Sequence, residues 1–291
     1  MKIPAHRLWQ KLNGSVMQRM SSRGIFSRLR YAKVCIQHVS GKRGLEIGGP
    51  SSVFRDGRYI PVYRSLKSLD GCNFRSGTMW EGSLQEGQHY QFSAGRQPGY
   101  QYLLEATDLA RIASGEYEVL ISAHMLEHTA NPIKALREWI RVVIPGGVLL
   151  LVLPHRDGTF DHRRPATSLG HMMQDYEDDV DEDDLTHLPE ILELHDLTRD
   201  PPAGDLEAFR TRCLDNFNNR GMHHHVFDLR TAIQLIDHVG LQILLAETAK
   251  PFHIVILAKK SDAPDNHAFL PAESPCFAHR CFESDRRPPS N

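Results

Sequence analysis

Residues 44–52 read Gly44-Leu45-Glu46-Ile47-Gly48-Gly49-Pro50-Ser51-Ser52, and the fold turns on this stretch. Gly44–Ile47 is a short apolar run of the length of a buried strand. The glycines after it let the backbone turn tightly and let a ligand approach with no Cβ in the way. Free backbone N–H groups in such a turn suit an anion, and Glu46 at the strand end suits a cationic amine. Alone, the turn reads equally well as a connector from strand to helix, because one glycine-rich turn is weak evidence. The text on either side decides between the two.

Downstream the pattern alternates between strand and helix. Tyr59–Tyr63 is a candidate second strand, followed by a Gly-, Ser- and polar-rich stretch over 67–99 with no clear assignment. Tyr102–Leu104 and Tyr117–Ser122 read as further strands. Asn131 caps a helix over Pro132–Val143, with proline at its first turn and Ile133, Leu136, Trp139, Ile140 and Val143 along one face. Pro145-Gly146-Gly147 ends that helix and feeds a strand at 148–153. A helix at 229–239 and strands at 241–247 and 252–258 close the pattern. Apolar strands alternating with helices call for an α/β, Rossmann-like, doubly wound and mainly parallel sheet covered on both faces. Ligands in such sheets sit beyond the carboxyl ends of the strands, near the point where strand order reverses. Gly48 and Gly49 fall there.

The chain has 291 residues, 41% hydrophobic and 24% charged, with a net charge of -2. These values are ordinary for a globular protein and give no global bias toward nucleic acid or membrane. The longest apolar run, Gly147–Leu153, is far short of the roughly 20 residues that span a bilayer. The N-terminus lacks the continuous apolar core of a secretion signal. The five cysteines are scattered and form no C-x-x-C pair, so reduced thiols in a cytoplasmic protein are expected.

Charge is uneven. Residues 1–43 hold ten Lys/Arg and no acid, and read as a basic helical segment with Leu8, Leu12, Val16, Ile25, Leu29 and Val34 on apolar faces. Such a segment suits anionic lipid or a phosphorylated glycan carrier, but packing over a cleft is the favoured reading. Residues 155–222 interrupt the alternation with acidic, His-rich helical text, and 175–208 alone carry fourteen Asp/Glu. The expected organisation is a domain over 44–260 with 155–222 as a helical lid, and a disordered Pro- and Ser-rich tail over 261–291.

Three further stretches add specificity. They are Glu105-Ala106-Thr107-Asp108-Leu109, then Tyr117 through Ser122-Ala123-His124-Met125-Leu126-Glu127-His128, then Pro132 to Pro145-Gly146-Gly147. With His225-Val226-Phe227-Asp228 through Gly240-Leu241, they resemble the class I S-adenosylmethionine-dependent methyltransferases, closest to the "methyltransferase type 11" group. The resemblance covers about residues 44–153 and 223–258. It implies a seven-stranded sheet with six strands parallel and one reversed, and S-adenosyl-L-methionine as cofactor. It implies that Glu46, Gly48, Gly49 and Ser51 meet the methionyl end of the cofactor. Glu105 and Ala106 would meet the adenine, and the end of the fourth strand, at Ser122, would lie along the cofactor. One departure stands out: the ribose-binding acid usually ends the second strand, whereas here the first acid after Tyr63 is Asp70, with Asn73 nearby.

Methyl transfer needs an aligned acceptor and, for a hydroxyl, a base. Histidine suits that task near neutral pH. His124 and His128 flank the end of the fourth strand and His155 follows the fifth, so these are the candidate catalytic residues. Residues 155–225 hold eight of the seventeen histidines, but without a recognisable ligand spacing, so no metal site is expected. The lid's resemblance to methyltransferases of glycan assembly implies a sugar or other small-molecule hydroxyl as acceptor. A nucleic-acid partner is not expected, because the lid is acidic and no basic surface with stacking aromatics appears. The competing readings are a dinucleotide-dependent oxidoreductase or epimerase, whose G-x-G-x-x-G is broken by Pro50 and Ser51, and a non-catalytic module of the same fold.

Overall fold

Val148 to Leu153 are apolar at every position because both faces of their strand are covered. Leu149, Leu151 and Leu153 join one core while Val148, Leu150 and Val152 join another. Successive side chains of a strand point to opposite faces, so a continuous apolar run marks a strand inside a doubly covered sheet. The same split divides Leu120 from Val119 and Ile121 in the neighbouring strand. The structure is a computed structural model that describes residues 25–78, 82–278 and 281–286.

In chain order the strands are β1 (Arg43–Ile47), β2 (Ser68–Asn73), β3 (Gly77–Thr78), β4 (Gly82–Ser83), β5 (Gly87–Tyr90), β6 (Gly99–Leu103), β7 (Tyr117–Ala123), β8 (Val143–Pro154), β9 (Leu241–Ala249) and β10 (His253–Lys260). Among the described residues the main sheet runs β5-β6-β2-β1-β7-β8-β10-β9, and β3 pairs with β4 apart from it. β1 is parallel to both β2 and β7, and β2–β6 and β7–β8 are parallel as well. β10 runs against β8 and β9, and β5 runs against β6. The sheet therefore has eight strands where seven were expected. The addition is the edge strand β5, from the polar stretch that carried no assignment.

Helix α1 (Ile25–Val39) buries Tyr31, Cys35 and Val39 on the face lined by Val119, Ile121 and Leu150. Leu8, Leu12 and Val16, and the side chains of Ile25 and Leu29, lie outside the described residues. Helix α2 (Pro132–Val142) covers the opposite face with Ile133, Leu136 and Trp139. Its cap is the expected one: Asn131 accepts from the Lys134 N–H at 3.0 Å. No helix among the described residues is long and apolar enough to cross a membrane.

Two expectations are corrected here. Tyr59–Tyr63 is not a strand; Ile60, Val62 and Tyr63 plug one core from a loop that ends in a 3-10 turn over Tyr63–Ser65. The second strand is the more polar Ser68–Asn73, where Gly71 is needed because a Cβ there would enter the ring of Tyr90. Asp70 thus sits mid-strand beside Leu45, not at the rim. It pairs with Arg43 at 3.2 Å and accepts from the Tyr117 hydroxyl at 2.8 Å and the Tyr100 N–H at 2.8 Å. The strand-end position belongs to Asn73.

The inserted segment 155–222 forms α3 (Leu169–Glu177), α4 (Leu188–Leu194), α5 (Leu206–Leu214) and α6 (Asn216–Asn219), around a small core of Ile191, Ala203, Phe209, Cys213 and Met222. α7 (Leu229–His238) then returns to the sheet. The tail also departs from expectation. α8 (Pro275–Ala278) buries Phe277 in the main core, and Phe282 and Asp285 are buried as well.

Candidate functional site at the carboxyl ends of the strands

Strand order reverses between β1 and β7, because β2 and β6 extend to one side of β1 and β7 begins the other. The loops leaving β1 and β7 meet at this point. Gly48 has φ +78°, and a Cβ there would lie 2.6 Å from Met125 Cγ. Ser122 Oγ donates to the Ile47 carbonyl at 3.0 Å and ties the two strand ends together. From β2, Asn73 Nδ2 donates to the Gly49 carbonyl at 3.0 Å.

Glu46 is fully buried beneath the turn. Its carboxylate accepts from the Ser51 N–H at 2.9 Å, from Tyr63 at 2.8 and 2.9 Å, and from Tyr90 at 2.6 Å. Burial and the adjacent Glu46 charge push the Tyr63 hydroxyl well above its ordinary range. Glu46 therefore supports the turn from below, and Ser51 caps the 3-10 turn that follows, its Oγ accepting from the Val53 N–H at 3.2 Å.

At the end of β6, Glu105 stands at the rim with its side chain 42% exposed. Arg220 of the lid donates to its Oε1 at 2.7 Å. The neighbouring Ala106 carbonyl accepts from Trp139 Nε1 at 3.0 Å, which fixes this loop to α2.

Beyond β7 the chain passes through His124, in the left-handed region at φ 53°, into a 3-10 turn over Leu126–His128. Here Asp161, Arg164, Met222 and His223 converge on His128. His128 Nδ1 donates to the Met222 carbonyl at 3.1 Å, and the His128 and His223 rings meet edge to face at 4.6 Å. His223 Nδ1 bonds to Asp161 Oδ2 at 2.6 Å, and Asp161 also accepts from the buried Arg164 at 3.2 Å. With Nδ1 committed on both rings, the neutral tautomer of each carries its lone pair on Nε2. Burial alone would lower His223, but the Asp161 charge and hydrogen bond outweigh it, so its net shift is upward. Burial dominates at His128, which is pushed well below its ordinary range. Glu127, buried beside them, is raised to about 7 by burial.

The three expected catalytic histidines divide. His128 lies in this cluster. His124 has Nε2 3.0 Å from His253 Nδ1, and burial, then His223 and His128, pull it down to about 3, which makes it a weak base. His155 is closed off altogether. It is fully buried, hydrogen-bonded to Asp285 at 3.1 Å and stacked on Phe282 at 3.9 Å, so the tail seals it from any acceptor. The Asp161–His223 pair was not anticipated, because its members lie 62 positions apart in the sequence. The signal for it was the triplet His223-His224-His225 next to a returning helix.

The family model of the "Methyltransferase domain" matches residues 78–151, which span β6, β7, α2 and most of β8. The match makes residues 78–151 similar to a methyltransferase domain, and the sheet order is that of a Rossmann-like fold. Among solved structures, the chain is similar to an S-adenosylmethionine-dependent methyltransferase from Aquifex aeolicus, at 12% identity and TM-score 0.43, covering 80% of this chain and 92% of that one. It is similar to one from Mesorhizobium loti at 13% identity and TM-score 0.44, covering 79% and 95%. It is also similar to the 1,6-didemethyltoxoflavin-N1-methyltransferase of Burkholderia thailandensis, which was solved with S-adenosylhomocysteine, at 9% identity and TM-score 0.46, covering 90% and 92%. No curated protein sequence matches the chain.

Gly48 lets the turn after β1 pack directly on the Met125 side chain, where a Cβ would clash. The rim carboxylate of Glu105 has the acceptor chemistry that an exocyclic amine requires.

Proposed function

We propose that this chain is a class I S-adenosylmethionine-dependent methyltransferase that methylates a hydroxyl of a sugar, glycan or other small molecule, with the proton passing to His223, whose ring His128 meets edge to face. One observation carries the reading: Asp161 holds His223 Nδ1 at 2.6 Å, beside the loop whose Met125 abuts the Gly48 turn. A carboxylate on Nδ1 fixes the ring and its tautomer and stabilises the imidazolium that forms when Nε2 takes a proton. S-adenosylmethionine supplies an electrophilic methyl group on a sulfonium sulfur. A hydroxyl is a weak nucleophile until its proton leaves, so the chain's own contribution is to align the oxygen and accept that proton.

In this reading the backbone of Gly48, Gly49 and Ser51 receives the methionyl end, with Glu46 as the support beneath. Asn73 takes the ribose side that Asp70 does not reach. Glu105 and Ala106 hold the adenine, and the β7 end at Ser122 lies alongside.

Calorimetry with S-adenosylhomocysteine and with NAD(H), followed by tritiated-methyl transfer to a panel of sugars, lipid-linked glycans and phenols, tests the proposal. Binding of the first ligand alone and labelling of a hydroxyl acceptor are expected. His223→Asn should lower kcat by about 10²- to 10⁴-fold, the usual contribution of a positioned base, with unchanged affinity for S-adenosylhomocysteine. Full turnover in that variant, or label found on carbon or nitrogen, overturns the hydroxyl chemistry.

A further inference from the structure

A second histidine cluster shares no residue with the proton-transfer pair. His171 and Asp175 stand one turn apart on α3, which puts them on the same helical face. His187 precedes α4, and His225 is the last of the histidine triplet. His171 Nε2 and His187 Nε2 are 3.0 Å apart. Asp175 Oδ2 lies 3.5 Å from His171 Nε2 and 3.7 Å from His225 Nε2. One ring nitrogen from each of the three histidines falls within 4.8 Å of the others.

Hydrogen bonding within the protein does not satisfy this group. His225 Nε2 donates to the Ala130 carbonyl at 3.0 Å, so the lone pair of its neutral ring sits on Nδ1. That Nδ1 is buried without a hydrogen-bond partner, and so is Asp175 Oδ2. Buried acceptors left unpaired are costly, and two of them beside a pair of facing imidazole nitrogens need a positive partner. A carbonyl on the far nitrogen of a histidine is also the usual way a ligating ring is oriented.

We infer that His171, His187 and His225, with Asp175 as the anionic fourth donor, bind one divalent cation of the zinc class. Tetrahedral zinc with bonds of about 2.0–2.1 Å sets its ligands roughly 3.3 Å apart, and the 3.0 Å His171–His187 and 3.5 Å His171–Asp175 separations bracket that spacing, with one ring nitrogen of His225 within 4.8 Å. A donor set of three imidazoles and one carboxylate selects zinc, cobalt or nickel over magnesium or calcium, which prefer all-oxygen shells. Entry is open on one side, because the His171 side chain is 42% exposed. The cation joins α3, the start of α4 and the segment that carries His223. It is therefore a clamp that fixes the lid to the rim, and it does not depend on which acceptor is methylated.

The test uses the full chain purified without a histidine tag, stripped with a chelator and titrated with zinc and then cobalt. The expected result is one equivalent per chain, a tetrahedral cobalt absorption band and a raised Tm. His187→Ala and Asp175→Asn should lose or weaken uptake, whereas Glu127→Gln and His223→Asn should retain it. Those last two variants matter because Glu127, His128 and His223 also bring three ligand atoms within 4.8 Å of one another. Uptake on the wild-type chain needs no variant to fold. Absence of stoichiometric binding there overturns the inference, and so does uptake that survives His187→Ala but is lost in Glu127→Gln.

Discussion

Glu46 turns its carboxylate inward and holds the donor-side turn through two tyrosines and the Ser51 N–H. The same carboxylate lies directly beneath Gly49, where a Cβ would come within 2.2 Å of it. Gly48 carries the sharper constraint. Its φ of +78° costs a residue with a Cβ about 1–2 kcal/mol, and the added methyl would also press on Met125. Gly48→Ala is therefore expected to lower the urea midpoint and to weaken S-adenosylhomocysteine binding at least about tenfold, since 1.4 kcal/mol is one decade. Wild-type affinity in that variant, measured by calorimetry, would remove this turn from the binding site. His223 shows the limit of residue-level reading in the other direction: its partner Asp161 is 62 positions away, and only the folded lid joins them.

Among the elements, those with clear periodicity were legible. The strand Tyr117–Ala123, the capped helix α2 and the apolar half of β8 lie where their patterns put them, because burial on both sheet faces imposes a continuous apolar run. β2 was hidden by its Gly and Asp content, and its apolar decoy Tyr59–Tyr63 is a core plug without strand pairing. The tail misled for a related reason. A few aromatics in Pro- and Ser-rich text look too sparse to order a segment, yet Phe282 stacks on His155 and Asp285 bonds both His155 and the Leu229 N–H. Ser284 adds hydrogen bonds to Asp157 at 2.8 and 3.2 Å. Phe282→Ala empties a fully buried site and is expected to cost about 3–5 kcal/mol. The measurement is thermal unfolding combined with hydrogen exchange over 154–158, which should lose protection first. An unchanged Tm would show that the strap is not part of the cooperative unit.

At the scale of the whole molecule, the sheet gathers histidines from β7, the lid and β10 into one buried rim, and this makes stability respond to acid. His124 titrates at about 3 when folded and at 6.5 when exposed. Between those values the unfolded chain binds a proton that the folded chain refuses, so this ring lowers stability as pH falls below 6.5. The slope is about 1.4 kcal/mol per pH unit, reaching roughly 2–3 kcal/mol at pH 4.5 and levelling near pH 3. Glu127 and Glu182 oppose it, because burial raises each to about 7 and the folded state takes up their protons first. Asp161, held at about 2, contributes its change only below the ordinary carboxylate range. The total profile therefore mixes signs, and the His124 contribution is isolated by difference. Asparagine suits that position because it tolerates the left-handed backbone at φ 53°. Denaturant unfolding of wild type and His124→Asn from pH 7 to 4.5 should give curves that converge or cross, with the variant gaining about 1.4 kcal/mol per unit relative to wild type. Parallel curves would mean that His124 takes up its proton inside the folded rim, and that the rim opens to water in acid.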